Sequence, residues 1–135
     1  MSTRATINFM KGEQIVAKIY NHSDGYPKGL GCDIFKFFKE VKKQTRDTRF
    51  NDASYLAAKW VAYKAGEYSD KSGPLNFLGI GILNEDPLDI EYTYDIDCCN
   101  HDKKDFPIVK AYSIDYIWDT GNIESKELVK IPRGK

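Results

Sequence analysis

Ala5, Ile7 and Phe9 interleave with Thr6, Asn8 and Met10, and this two-residue period predicts a strand over residues 3–10. Lys11-Gly12-Glu13 has turn chemistry. Residues 14–20 predict a second strand, with Ile15, Ala17 and Ile19 on one face and Val16, Lys18 and Tyr20 on the other. The short connection makes the pair an antiparallel hairpin. The period then changes. Ile34, Phe37, Phe38 and Val41 recur at i, i+3, i+4 and i+7, the stripe of an amphipathic helix. Asp52 is placed to cap a second helix holding Leu56, Ala57, Trp60, Val61 and Tyr63, which should stop near Gly66.

Beyond that helix, residues 69–74 are turn formers and polar groups, the composition of a loop. Residues 76–83 form an apolar run broken by Gly79 and Gly81, which predicts a buried strand with close backbone neighbours. Residues 89–97 alternate strictly, with Ile90, Tyr92, Tyr94 and Ile96 facing in and Asp89, Glu91, Thr93, Asp95 and Asp97 facing out. Residues 108–118 predict a further strand, Asp119-Thr120-Gly121-Asn122 a hairpin turn, and residues 127–131 a last strand. Strands and helices are segregated along the chain. The expected fold is a single α+β domain over residues 1–135, with a mainly antiparallel sheet of five or six strands and two helices packed on one face.

Charge changes this picture only locally. The 135 residues carry 20 Lys and Arg against 20 Asp and Glu, and a net charge of zero argues against wrapping duplex nucleic acid. Yet residues 28–49 hold seven cations (Lys28, Lys36, Lys39, Lys42, Lys43, Arg46, Arg49) against Asp33, Glu40 and Asp47, a local +4. Residues 84–105 hold eight acids against Lys103 and Lys104, a local −6. The bland reading is two solvated faces. The functional reading is a basic rim that steers an anionic ligand or an acidic partner. The start of the chain has no apolar run of a secretory signal, and no stretch is apolar enough to span a membrane. Cys32, Cys98 and Cys99 are an odd set with an adjacent pair, which suits free thiols and a cytoplasmic site of action.

The segment Asn21-His22-Ser23-Asp24-Gly25-Tyr26-Pro27-Lys28-Gly29-Leu30-Gly31 joins a strand to a helix start. Free amides and the helix dipole favour an anion at such a corner. Gly29 and Gly31 would let a ligand approach the backbone, Lys28 and Arg4 would add charge, and His22 and Tyr26 would contact a base or ribose. The spacing matches neither the P-loop nor the dinucleotide fingerprint. Other constellations are poorer. Asp89, Glu91, Asp95 and Asp97 lack calcium-loop spacing. Cys98-Cys99-Asn100-His101 lacks zinc spacing, so neither a metal nor a cofactor is implied. Ser2 would be an N-terminal nucleophile only if Met1 is removed. Tyr92, Tyr94, Tyr112, Tyr116 and Trp118 could stack bases, but core packing explains them as well. No acid–base pair stands out, so a catalytic role ranks last and no catalytic residue is nominated.

The Thr3-Arg4 strand opening and the Asp24-Gly25-Tyr26-Pro27-x-Gly29-x-Gly31 segment resemble those of a group of small phage and prophage proteins. The likeness covers about the first third of the chain. It implies a viral accessory protein that blunts host defence in the host cytoplasm. Such a protein would sequester a small anionic, nucleotide-like signal through Arg4, His22, Asp24, Tyr26, Lys28, Gly29 and Gly31. A chain this small encloses a ligand best as a homo-oligomer. The alternative is an inhibitor docking on a host defence or replication enzyme through the basic helix or the acidic strand. A small nucleotide or amide hydrolase is the remaining reading.

Overall fold

A computed structural model describes residues 3–67, 78–85, 87, 89–98, 106–116 and 123–132. The elements run β1 (Ala5–Lys11), β2 (Gln14–Asn21), a π-turn (Pro27–Gly31), α1 (Cys32–Gln44), α2 (Ala53–Gly66), β3 (Ile80–Leu83), β4 (Tyr92–Asp97), β5 (Ile108–Tyr116) and β6 (Ile123–Val129). The six strands form one open sheet in the order β3-β2-β1-β4-β5-β6. Only the central β1–β4 pair is parallel; the other four are antiparallel. The fold is therefore α+β, as the segregation of elements predicts. Among the described residues, no helix is long and apolar enough to cross a membrane.

The core lies between the helices and one face of the sheet. Alternation puts Ala5, Ile7 and Phe9 of β1 beside Tyr94 and Ile96 of β4, and all five are buried. Ile34, Phe37, Phe38 and Val41 of α1 and Leu56, Ala57 and Trp60 of α2 close over them. α2 begins where Asp52 accepts from the Tyr55 amide at 3.3 Å, the expected cap.

The opposite sheet face is polar yet sealed at its centre. Thr6 and Thr93 share a hydroxyl hydrogen bond of 2.9 Å. Asn8 donates to Asp95 at 2.9 Å and accepts from the Lys18 ammonium at 2.9 Å. Thr93, expected to face outward to water, is buried there because the ladder satisfies its hydroxyl.

Three local expectations change. Phe9 pairs with Ala17 but Met10 pairs with Ile15, so β2 carries an extra residue at that point. The bulge turns Ile15 and Val16 outward, at 44% and 40% exposure, and ends the alternation expected there. The strand expected to be buried over residues 76–83 is described only as Ile80–Leu83, and it is a sheet edge. Ile82 is 74% exposed, and a Cβ at Gly81 would meet open space, so Gly81 serves no close approach. The last strand spans Ile123–Val129 rather than residues 127–131. Residues 69–74, the turn at 119–122, Cys99 to His101, Ser2 and Trp118 lie outside the described residues.

Candidate functional site

The corner between β2 and α1 is wound so that its own carbonyls meet its own amides. Asp24 takes a left-handed conformation (φ 57°), which turns its carbonyl toward the helix start to accept the Leu30 amide at 2.8 Å. The Gly25 amide donates to the Thr3 carbonyl at 2.9 Å, and the Gly29 amide to the Tyr26 carbonyl at 2.9 Å. The Cys32 amide is shared between the Gly29 and Pro27 carbonyls. Below the corner, the Tyr94 hydroxyl donates to the Gly25 carbonyl at 2.7 Å, and its ring lies against Gly31. Burial raises the Tyr94 pKa, with smaller contributions from Tyr92 and Cys32.

The expectation of open amides at Gly29 and Gly31 is overturned: the Gly29 amide is taken by the Tyr26 carbonyl, and Gly31 is buried. The glycines are there for the chain's approach to itself. A Cβ at Gly29 would stand 2.5 Å from the Asp24 carbonyl oxygen, and one at Gly31 would stand 2.8 Å from Cγ2 of Ile131. Helix-start donors were orphans in the one-dimensional view. The left-handed Asp24 and the π-turn satisfy them internally.

Beside the corner lies an open cleft of about 330 Å³ between the end of β2, the start of α1 and the end of α2. Asn21, Ser23, Asp24, Lys28, Lys36 and Lys64 contribute to its walls. Lys64 is held by Asp33 at 3.1 Å and Glu67 at 2.9 Å. The Tyr63 hydroxyl donates to the other Asp33 oxygen at 3.0 Å. Burial works to lower the Lys64 pKa, but the Glu67 hydrogen bond and the Asp33 and Glu67 charges outweigh it and raise it. Burial first, then the negative Asp33, raises the Tyr63 pKa. Lys28 and Lys36 are exposed, and neither has a partner among the described residues.

The seven nominated residues do not converge. Asp24, Lys28 and Gly29 line the cleft. Gly31 is buried beneath it, and Tyr26 stands 41% exposed with its ring over Gly29. Arg4 and His22 share strand parity with Thr6 and Tyr20, which puts them on the polar sheet face. There Arg4 pairs with Asp89, and the Tyr20 hydroxyl lies 2.9 Å from Nδ1 of His22. Burial raises the Tyr20 pKa, with Arg4 opposing and Asp89 adding. Sequence reasoning had no signal for Asn21, Ser23 or the Asp33–Lys64 tie, whose members lie 31 positions apart.

Two other expected surfaces also resolve. The aromatic positions split between faces. Tyr94 is core, while Tyr112 lies on the polar face with the Lys126 ammonium 4.5 Å from its ring centroid. The acids of β4 point away from α1: Asp95 is bonded to Asn8, on the sheet face opposite the helices. The basic side of α1 therefore keeps its charge. Lys36, Lys39, Lys42 and Lys43 are exposed, while Asp33 is tied to α2 and Glu40 accepts from Gln44 at 2.9 Å. Among the described residues, no group of three His, Cys, Asp or Glu is placed to hold a metal ion.

Comparison with known proteins found no matching family model, no matching curated protein and no matching solved structure.

Proposed function

We propose that this is a non-catalytic binding protein that docks an acidic macromolecular surface through the outer side of α1. The observation that carries the reading is the exposed lysine face, Lys36, Lys39, Lys42 and Lys43, with the acids of β4 held on the far side of the sheet. Lys39 and Lys43 are one helical turn apart. Such like-charge neighbours cost a helix about 0.2–0.5 kcal/mol, offset in part because Lys42 and Lys43 lie in the last turn, where the helix dipole favours cations. In the phage setting that the N-terminal segments resemble, the partner is a host defence or replication enzyme in the host cytoplasm, and docking blunts it. Double charge reversal, Lys39→Glu with Lys43→Glu, tests this by affinity capture from host lysate. Partner capture is expected to fall at least about tenfold while the melting temperature holds, since exposed substitutions of this kind shift stability by only about 0.5 kcal/mol. Capture that ignores both reversals removes the helix from the reading.

The cleft favours a second reading, sequestration of a small anionic, nucleotide-like ligand. Its volume of about 330 Å³ falls in the range of small-molecule sites. Lys28 and Lys36 line it with no protein partner among the described residues, so side-chain ammonium groups would hold phosphate where the amides cannot. Asp24 remains available to a ribose or base donor. Calorimetric titration of a nucleotide panel is expected to give binding that Lys28→Ala with Lys36→Ala abolishes. Absence of heat and of thermal shift with every member excludes this reading.

A further inference from the structure

The helix-facing row of β2 ends on a buried amide. Strand alternation sets Asn21 on the same face as Ala17 and Ile19, opposite the buried Ala5 of β1. Asn21 is 4% exposed. Its amide nitrogen donates to the Ser23 carbonyl at 2.6 Å. Its Oδ1 has no hydrogen-bond partner among the described residues. The great majority of buried side-chain acceptors are paired, so an unpaired one calls for a reason. Asn21 lines the cleft between β2, α1 and α2, which leaves this acceptor to whatever the cleft holds.

The other polar groups of the cleft divide into spent and unspent. Asp33 and Glu67 are spent on Lys64. Asp24, Lys28 and Lys36 are exposed, and none has an ion pair among the described residues. The unspent groups divide again by chemistry. Lys28 and Lys36 are donors only, point charges suited to a phosphoryl group. Asn21 Oδ1 and the Asp24 carboxylate are acceptors only, so each calls for a donor on the ligand. Lys28, Lys36 and Lys64 in the same walls repel a cationic donor, which leaves hydroxyl groups. A bare phosphate answers the two lysines but leaves Asn21 unpaired and is repelled by Asp24.

We propose that the cleft takes a phosphorylated sugar, with its phosphate on Lys28 and Lys36 and its hydroxyl groups donating to Asn21 Oδ1 and the Asp24 carboxylate. The proposal rests on the reading of the cleft as an anion site and narrows it. The sugar phosphate is the part of a nucleotide-like ligand that the cleft recognises, and Asn21 and Asp24 set the specificity. A site built to hydrogen-bond a hydroxyl rejects an analogue that lacks it, because its buried acceptor is then left unpaired.

Calorimetric titration of the full chain with ribose 5-phosphate, inorganic phosphate and ribose tests the proposal. The wild-type protein is expected to bind ribose 5-phosphate at least about tenfold more tightly than either of the others. Asn21→Ala is expected to bring the affinities for ribose 5-phosphate and inorganic phosphate together. Should Asn21→Ala fail to fold, Asp24→Gly still decides. Position 24 is exposed and left-handed, a conformation that glycine adopts without strain, and its loss of the carboxylate is expected to narrow the same preference. Equal wild-type affinity for ribose 5-phosphate and inorganic phosphate overturns the proposal and leaves the anion cleft standing. A preference that both substitutions leave intact overturns it as well. Nucleotide binding without ribose 5-phosphate binding moves recognition to the base and overturns it likewise. Absence of heat with every phosphate compound removes the cleft reading itself, and this proposal with it.

Discussion

The Tyr94 hydroxyl donates to the Gly25 carbonyl, so one side chain of β4 holds the corner down on the sheet. Tyr94→Phe removes that donor and leaves the buried Gly25 carbonyl without it. Thermal and denaturant unfolding are expected to show a loss of about 1–3 kcal/mol with the strand and helix content unchanged. The effect has a pH signature. Tyr94 keeps its proton in the folded chain beyond the ordinary tyrosine value of 10.0 because burial disfavours the phenolate. In that window the folded state binds more protons than the unfolded state. Stability is therefore full below pH 10 and falls as pH rises through the raised value. Denaturant midpoints followed from neutral to strongly alkaline pH should show that fall in the wild type and a shallower one in Tyr94→Phe. An equal fall in both would assign the alkaline loss to other groups.

At the level of elements, the two helices are joined at one end by a polar tie and packed elsewhere by rings. Phe37 meets Trp60 edge-on at 5.2 Å between ring centroids and Tyr63 at 5.3 Å. Asp33 on α1 holds Tyr63 and Lys64 on α2. Asp33→Ala leaves the partly buried Lys64 with Glu67 alone and the Tyr63 hydroxyl without its acceptor. A loss of about 1–3 kcal/mol is expected in denaturant unfolding. Because Asp33 also lies at the cleft, the same variant should weaken any nucleotide heat that the wild type shows. The Lys64 tie follows the same alkaline sign as Tyr94: its raised pKa gives stability that is full below the ordinary lysine value of 10.5 and lost above it.

Across the whole molecule, the zero net charge conceals a separation of surfaces. The helix layer presents Lys36, Lys39 and Lys43, and the polar sheet face holds Asp95 within a buried hydrogen-bond ladder. A partner that docks on the lysine face through long-range attraction is expected to bind faster at low salt. Raising ionic strength shortens the screening length from about 10 Å at 0.1 M to about 3 Å at 1 M and should weaken capture steeply. Salt-insensitive capture would point instead to an apolar contact.

The periodicity of the chain by itself determined both helices, the β1–β2 hairpin, the Asp52 cap and the inward placement of Tyr94 and Ile96 with Tyr92 packed against them, because these depend on local spacing and on which residues avoid water. The basic stretch was also legible, since charge on a solvated helix face needs no partner to be read. Tertiary structure alone decided what the corner does. Whether an amide is free depends on which carbonyl comes near it: the left-handed turn at Asp24 brought the acceptor for the Leu30 amide, while the Tyr94 hydroxyl, 69 positions from Gly25, donates to the carbonyl beneath. It also decided that Arg4 and His22 face away from Lys28, because strand parity, not distance along the chain, assigns side chains to opposite faces of a sheet.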